Sequence, residues 1–420
     1  MIDRMSTILR NVFIGAVLML AQAACTSRPE FRDGQWRAYL ERKDGNNVVF
    51  NFEVKDRAGR KVLYLRNAGE RLLVDSITLA GDSVFIRMPF FESQLRGALT
   101  ADGDMEGVWI IHLADSFRAM PFKAIYGEDY RFKGDSPAKD RASVDGRWAA
   151  VFRSSNGKDT VFRVGEFRQK GINLTGTFLD AGGDLRYLEG IMDGDTLKLS
   201  TWDGSTHAYY FTALRRGDSL VGGKYYAGPV NYSTWTAVKD SAAHLEDQYA
   251  ITKWKKDVPF GFSCTDLDGH PVSFSDERFK GKVVLVQIMG SWCPNCLDET
   301  RFLSKFYDEY HNKGVEIVSL AYERSTDFAR SAKAVRLFQQ GFDVKYPMLI
   351  TGVTVGDPQK AAKTLPQLDN IANFPTTIFV NKKGQIEKIH TGFSGPGTGE
   401  HYEEQKKEFY DQVNEMLAEK

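Results

Sequence analysis

The chain has 420 residues, of which 42% are hydrophobic and 26% are charged. Basic and acidic residues number 55 each, so the formal net charge at pH 7 is zero. This length predicts two or three globular domains. The sequence contains no basic stripe of the kind that a nucleic-acid-binding protein needs, and the balanced charge excludes strong steering of a charged partner by net charge.

The N-terminal segment, residues 1–25, has the order of features that is typical of a secretory signal peptide. Arg4 and Arg10 precede the apolar run Val12–Leu20, and small residues follow it. The run is shorter than the roughly 20 apolar residues that a membrane-spanning helix needs. A buried helix of the mature protein is the alternative, but caps and amphipathic spacing are absent. We therefore expect a protein that lies outside the cytoplasm.

Residues 22–25 resemble a bacterial lipobox, in which the cysteine is lipidated and becomes the new N-terminus. Gln22 stands where this motif usually has an apolar residue. Ordinary cleavage after Ala23 is the alternative, and it would leave Cys25 as an unpaired thiol in an oxidising compartment. We favour lipidation of Cys25 and expect a lipid-anchored protein of the bacterial cell envelope that faces the periplasm.

From Asp33 to about Val238 the pattern is typical of antiparallel β-sheet. Short alternating runs such as Val48–Phe52 and Ser83–Ile86 are separated by Gly-Asp and Asp-Gly turns. Helical spacing is scarce in this part of the sequence. We predict an all-β region built as an antiparallel sandwich or barrel.

This β region repeats itself. Asp33–Ala38 recurs about 112 residues later as Asp145–Ala150, and other turns recur in the same order. The repeat predicts two units, at residues 30–125 and 143–240, each the size of a small sandwich or barrel. Two packed copies and one larger barrel both fit this pattern. We interpret Trp36 and Trp148, which occupy equivalent positions, as core residues, and the sequence does not indicate a ligand.

A polar linker, residues 241–257, separates the repeats from a region in which strands alternate with helices. This alternation predicts an α/β domain at residues 258–420. The continuous apolar run Val283–Met289 predicts a buried central strand. The segment Trp292–Cys296, Trp-Cys-Pro-Asn-Cys, comes next, and apolar residues at helical spacing follow it. Cys293 is therefore expected at the start of a helix.

This position suits a redox-active cysteine pair. Free backbone N–H groups and the helix dipole stabilise a thiolate at a helix N-terminus, and the thiolate is the nucleophile of disulfide exchange. Cys296, one helical turn after Cys293, is placed to attack a mixed disulfide. A structural zinc site needs four ligands, and no second Cys or His pair is near. A static disulfide would close too small a loop to stabilise the fold much. We predict a redox-active disulfide with no metal or other cofactor.

The last 160 residues or so resemble the thioredoxin superfamily, and specifically the TlpA/ResA-like branch of envelope thiol–disulfide oxidoreductases. The resemblance lies in the lead-in hairpin, the first core strand, the cysteine motif, the proline loop with its strand and turn, and the stretch before the last helix: Asp266–Phe274, Phe279–Val286, Trp292–Cys296, Asn373–Val380, Lys382–Ile386 and Gly392–Gly395. It does not extend to the β region.

The resemblance implies a role for several residues. Cys293 would be the attacking thiol and Cys296 the resolving thiol. Pro375 would be a cis-proline beside the disulfide, where Trp292 and Phe374 would contact the substrate.

The resemblance also implies a proton-transfer group. Gln287, which is not ionisable, occupies the position of the acidic residue of thioredoxin itself. The TlpA/ResA-like branch instead uses a glutamate at the end of the next strand, which here is Glu323. Partial burial would raise its pKa toward the working pH. The alternative is a solvated loop glutamate.

Two residues depart from the family pattern or add to it. Arg301 replaces a proline that usually bends the active-site helix. Cys264 is an additional thiol, which we interpret as a small buried apolar residue. A regulatory partner of the cysteine pair is the alternative.

We predict an enzyme that exchanges its Cys293–Cys296 dithiol with protein disulfides, in the direction of reduction, and that receives reducing equivalents from a partner protein. A thiol peroxidase is one alternative, because peroxiredoxins share the fold, but the pair lacks their Pro-x-x-x-Thr-x-x-Cys setting. The other alternative is a surface-binding lipoprotein whose β repeats capture a ligand or partner.

Overall fold

The computed structural model describes residues 29–137 and 142–419. The predicted signal segment and lipidation site at Cys25 lie outside these residues. Three β-sheets follow one another along the chain, two of nine strands and one of seven. No helix in the described part of the chain is both long and apolar enough to cross a membrane.

The first sheet is an antiparallel meander, called the first barrel here. Each strand pairs with the next except β4 with β5, and β9 returns to pair with β1. The sheet therefore curls into a barrel that is open at one seam. Its strands are Gly34–Leu40 (β1), Val48–Arg57 (β2), Arg60–Asn67 (β3), Glu70–Val74 (β4), Ser76–Ala80 (β5), Ser83–Arg87 (β6), Ser93–Leu99 (β7), Met105–His112 (β8) and Phe117–Tyr126 (β9).

The second sheet, called the second barrel, closes on itself. Strand β12 pairs with both β14 and β11, which completes a ring, and the short β13 lies beside β12. The β region thus consists of two sheets and not of one larger barrel. The strands are Gly146–Ser154 (β10), Thr160–Lys170 (β11), Asn173–Asp180 (β12), Gly183–Asp184 (β13), Leu188–Asp193 (β14), Thr196–Trp202 (β15), Ala208–Arg216 (β16), Ser219–Ala227 (β17) and Asn231–Lys239 (β18).

The two barrels use the same local structure at their first strands. Trp36 and Trp148 are both fully buried, which confirms that they are core residues. The indole N–H of Trp36 donates to the carbonyl oxygen of Arg32 at 3.1 Å, and that of Trp148 donates to Val144 at 2.8 Å. Each bond reaches back four residues and gives a buried polar group its partner.

The C-terminal domain is a mixed sheet covered by helices. The central strand β21 runs parallel to β22 and antiparallel to β24. This arrangement confirms the predicted fold class, an α/β domain after an all-β region. Its strands are Ser263–Asp266 (β19), Pro271–Ser273 (β20), Val283–Met289 (β21), Val315–Ala321 (β22), Met348–Ile350 (β23), Thr376–Val380 (β24) and Ile386–Thr391 (β25). The helices are Gln248–Ile251 (α1), which precedes the sheet, Pro294–Tyr310 (α2), Phe328–Gly341 (α3), Lys360–Thr364 (α4) and Glu400–Ala418 (α5).

Strand β21 separates two apolar clusters because its side chains alternate between the faces of the sheet. Leu285 belongs to the cluster that contains Cys293 and Cys296, while Val284 belongs to the cluster that contains Cys264. Cys264 is 8% exposed, as expected for a small apolar residue, and burial raises its pKa to about 11. The sheet lies between Cys264 and the cysteine pair, which argues against a regulatory disulfide between them.

The first barrel packs against helix α3 of the C-terminal domain. The guanidinium of Arg330 forms a forked ion pair with Glu92, with distances of 3.1 and 2.9 Å. It also donates to the carbonyl oxygens of Leu113 and Ala114. These bonds join the first barrel to the α/β domain through the helix that follows β22.

Candidate active site

Cys293 lies between the buried strand β21 and helix α2. It is the N-cap residue of α2, and its Sγ accepts a hydrogen bond from the backbone N–H of Cys296 at 3.3 Å. Pro294 occupies the first position of the helix, where a missing N–H costs nothing. A sulfur in this position faces the positive end of the helix dipole. Cys293 is 5% exposed, so only a small part of the reactive residue is open to solvent.

The proline loop lies against the same sulfur. The Phe374–Pro375 peptide bond is cis, as expected, and Cys293 Sγ is 3.6 Å from the carbonyl oxygen of Phe374. The rings of Trp292 and Phe374 meet edge to face with centroids 5.4 Å apart. The structure therefore brings Trp292, Cys293, Phe374 and Pro375 together, with Cys296 one helical turn below.

The two cysteines have different environments. Cys296 is fully buried, and its burial raises its pKa well above the usual range. The hydrogen bond and the negative charge of Cys293 raise this pKa further. Cys296 therefore stays protonated until a neighbouring base accepts its proton. Cys293 is the cysteine of the pair that solvent can reach.

Glu323 lies two residues after β22 and is 6% exposed. It accepts hydrogen bonds from the backbone N–H and the hydroxyl of Ser291, at 2.8 and 2.7 Å. Burial raises its pKa, and the bonds from Ser291 act in the opposite direction. The alternative of a solvated loop glutamate is wrong, and the role of Glu323 in proton transfer stays a prediction.

A second buried carboxyl was missed by the sequence analysis. Glu299, in α2, is fully buried and accepts hydrogen bonds from Gln287 Nε2 at 2.8 Å and from Thr377 Oγ1 at 2.7 Å. Burial raises its pKa to about 7, although these two bonds lower it. Its negative charge in turn raises the pKa of Cys296.

The sequence does contain a signal for this residue. Glu299 follows Cys296 by three residues, and side chains at that spacing share a helix face. The carboxyl group near the buried cysteine thus comes from the helix, while Gln287, in the strand, orients it.

This arrangement can perform two-step disulfide exchange. It offers one partly exposed sulfur at a helix N-terminus, one buried thiol and a buried carboxyl whose pKa is near neutral. Among residues 29–137 and 142–419, no group of three or more His, Cys, Asp or Glu side chains is placed to hold a metal ion.

Comparison with known proteins gives consistent matches to the C-terminal domain. A family model described as Redoxin matches residues 255–406. The thiol-disulfide oxidoreductase ResA of a Bacillus cereus strain is 31% identical over 135 residues, which are 32% of this chain and 68% of that protein. The thioredoxin-like protein YneN of Bacillus subtilis (strain 168) is 31% identical over 131 residues, which are 31% of this chain and 68% of that protein.

A solved structure, a thiol:disulfide interchange protein of the thioredoxin family from Chlorobium tepidum TLS, aligns with 40% of this chain and 99% of its own length. Its sequence identity is 19% and the TM-score is 0.30.

A cysteine pair at the start of a helix, a neighbouring cis-proline and a central mixed sheet define a thiol–disulfide oxidoreductase of the thioredoxin superfamily. Through its C-terminal domain the chain belongs to the redoxin family, as a relative of ResA. The predicted family and enzyme class are confirmed. The Redoxin match does not include the two barrels.

Proposed function

We propose that this protein reduces disulfide bonds of other proteins in the bacterial cell envelope. The observation that carries this proposal is the position of Cys293. Its sulfur caps α2 and lies 3.6 Å from the carbonyl oxygen that precedes the cis-proline, with the protonated Cys296 beneath it. An extended substrate that pairs with the proline loop would bring its own disulfide to this sulfur.

The exchange balances in two steps. The thiolate of Cys293 attacks one sulfur of the substrate disulfide, and the other substrate sulfur leaves as a thiolate and takes up a proton. Cys296 then loses its proton and attacks the Cys293 sulfur, which releases the second substrate thiol and leaves a Cys293–Cys296 disulfide. Two electrons have passed to the substrate, and a reducing partner protein restores the dithiol.

Glu299 is suited to accept the proton of Cys296 because its pKa of about 7 lies near the working pH. Glu323, which is bonded to Ser291, remains the second candidate for proton transfer. We expect E299Q to slow release of the mixed disulfide by about 100-fold, the lower end of the usual range for a general base. Single-turnover kinetics of E299Q and E323Q across pH 5–9 will compare the two carboxyls. Equal rates for E299Q and the unaltered protein would contradict the role of Glu299.

The direct test of the proposed function is the replacement of each cysteine in turn. We expect C293S to abolish reduction of insulin disulfides, because the attacking sulfur is absent. C296S keeps the attacking thiol and should accumulate a mixed disulfide with insulin, visible by mass spectrometry. Retained insulin reduction by C293S, or no adduct with C296S, would contradict the assignment. Cys264→Ser is the matched control and should leave the rate unchanged.

The envelope location rests on the N-terminal sequence. The segment 1–25 has the pattern of a secretory signal, and Cys25 stands in a lipobox-like context. We propose that Cys25 carries a lipid anchor and that the protein faces the periplasm. Mass spectrometry of the mature N-terminus will detect a diacylglycerol-modified Cys25, and an unmodified N-terminus at Ala24 would contradict the anchor.

A further inference from the structure

The second barrel places one loop on the N-terminus of the active-site helix. This loop, residues 181–187, connects β12 to β14 and is called the docking loop here. The side-chain amide of Asn295 donates to the carbonyl oxygen of Gly182 at 3.0 Å, and Gly183 forms a bridge with Phe393. Asn295 lies between the two cysteines, so the docking loop contacts the redox motif itself.

The approach of the docking loop is close enough to require glycine. Gly183 has a φ of +128°, a backbone conformation that other residues rarely adopt. A Cβ atom at this position would lie 2.2 Å from the carbonyl oxygen of Phe393 and 2.7 Å from Nδ2 of Asn295. At position 183 the docking loop therefore approaches the redox domain too closely to leave space for a side chain.

Arg186, near the end of the docking loop, joins both barrels to helix α2. Its guanidinium donates to the carbonyl oxygen of Pro294 at 3.1 Å and to the carboxylate of Asp298, both in α2. It also pairs with Glu70 of the first barrel, and its Nε lies 3.3 Å from Asp203 of the second barrel.

Arg186 is only 4% exposed and has a φ of +58°. An arginine in the left-handed region is uncommon, and such residues persist where the surrounding contacts fix them.

The buried charges around Arg186 are mostly negative. Glu70, Asp184, Asp203 and Asp298 are each less than a tenth exposed. Burial raises the pKa of Asp184 to about 7 and also raises the pKa values of Asp203 and Asp298. Arg301, at the rim of the cluster, lies 3.7 Å from Asp298. The central guanidinium therefore supplies the main positive charge that offsets these carboxyls beside the first two turns of α2.

We propose that Arg186 is a positioning residue of the redox centre, which fixes the first turns of α2 through Pro294 and Asp298 and whose positive charge favours the reduced form of the Cys293–Cys296 pair. This inference rests on the proposed function. Pro294 follows Cys293 directly, so the guanidinium adds positive potential at the helix end where a thiolate forms. Low solvent exposure keeps this interaction from being screened by salt.

The sign of the effect follows from thiol chemistry. Groups that stabilise the reduced form make a dithiol pair a better oxidant. Loss of the charge of Arg186 should therefore shift the pair toward the disulfide. The β region would in this way tune the redox centre.

The test is the equilibrium of the full chain, purified in detergent, with reduced and oxidised glutathione. We expect R186Q to shift the Cys293–Cys296 equilibrium toward the disulfide by about tenfold, which corresponds to about 30 mV. R186K retains the charge but cannot form the forked bonds of a guanidinium, so its shift should be smaller and in the same direction.

Arg131→Gln is the matched control. Arg131 is also 4% exposed, pairs with Glu189 at 3.0 Å, and donates to the carbonyl oxygens of Val49 and Arg66. All of these partners belong to the two barrels. R131Q should lower the thermal unfolding temperature as R186Q does, yet leave the glutathione equilibrium at the wild-type value.

If R186Q does not fold, Asp298→Asn provides the second measurement. It removes a negative charge from α2 and should shift the equilibrium in the opposite direction, toward the dithiol, by about threefold. An unchanged equilibrium in R186Q, an equal shift in R131Q, or a shift of D298N toward the disulfide would overturn the proposal. An unaltered protein that forms no reversible pair would instead contradict the proposed function.

Discussion

The two barrels share their turns and their buried tryptophan but differ at one connection. In the first barrel, the third strand is connected to the fifth through the five-residue strand β4, Glu70–Val74, whereas in the second barrel the docking loop, residues 181–187, makes this connection and contains only the two-residue strand β13. The shared features form the cores of the sheets. The contact with the redox motif is made where the two repeats differ. The comparison indicates that the contact with the Cys293–Cys296 motif depends on one connection and not on the architecture that the two barrels share.

One glycine from each of these two connections allows the largest test of this difference. Gly183→Ala places a Cβ atom against Phe393 and Asn295 in an unfavourable backbone conformation, and we expect a loss of about 2–3 kcal/mol in the free energy of unfolding. The Cβ atom added by Gly69→Ala would contact only the ring of Tyr187, at 3.9 Å. This variant should change the free energy of unfolding by less than about 0.5 kcal/mol. Urea unfolding and insulin reduction will check both variants. Equal losses in G183A and G69A would show that the connections are equivalent.

A smaller effect is expected from the pH dependence of stability, because the docking loop contains a buried carboxyl, Asp184, with a strongly raised pKa. The folded-state pKa of Asp184 is about 7, above the value of about 3.9 in an unfolded chain. Between these values the folded protein binds more protons than the unfolded one, so the contribution of Asp184 to stability is lost as the pH rises through this range.

Asp184→Asn removes this proton binding. We expect the fall in the free energy of unfolding between pH 5 and pH 7 to become smaller by on the order of 1 kcal/mol per pH unit. Asp102→Asn, on an exposed turn of the first barrel, is the control and should keep the original slope. A slope in D184N equal to that of the unaltered protein would indicate that Asp184 is ionised throughout.

Local sequence was sufficient to predict the features that depend on neighbouring residues. The Gly-Asp turns, the buried strand β21, the cysteine pair at the start of α2 and the repeat of the tryptophan position are all of this kind. The position of Glu299 beside Cys296 could also have been predicted, because its spacing from Cys296 places it on the same helix face. The cis bond at Pro375 was predicted only through the family resemblance.

The contacts of Arg186 could not be predicted from the sequence. Its partner Pro294 is 108 residues away in the chain, and Glu70 is 116 residues away in the other direction. Nothing in the residues around Arg186 distinguishes it from an exposed turn residue. Its burial results from the packing of two barrels and a helix, which no local pattern encodes.

The proposed function requires that Cys293 and Cys296 form a reducing dithiol pair. The reduction potential of this pair in the full chain tests it most directly, by titration against glutathione or dithiothreitol with mass-spectrometric counting of free thiols. We expect a reversible two-electron couple with a potential near that of thioredoxin, about −270 mV. A potential near −120 mV, which is typical of strong oxidants, or the absence of a reversible couple would contradict it.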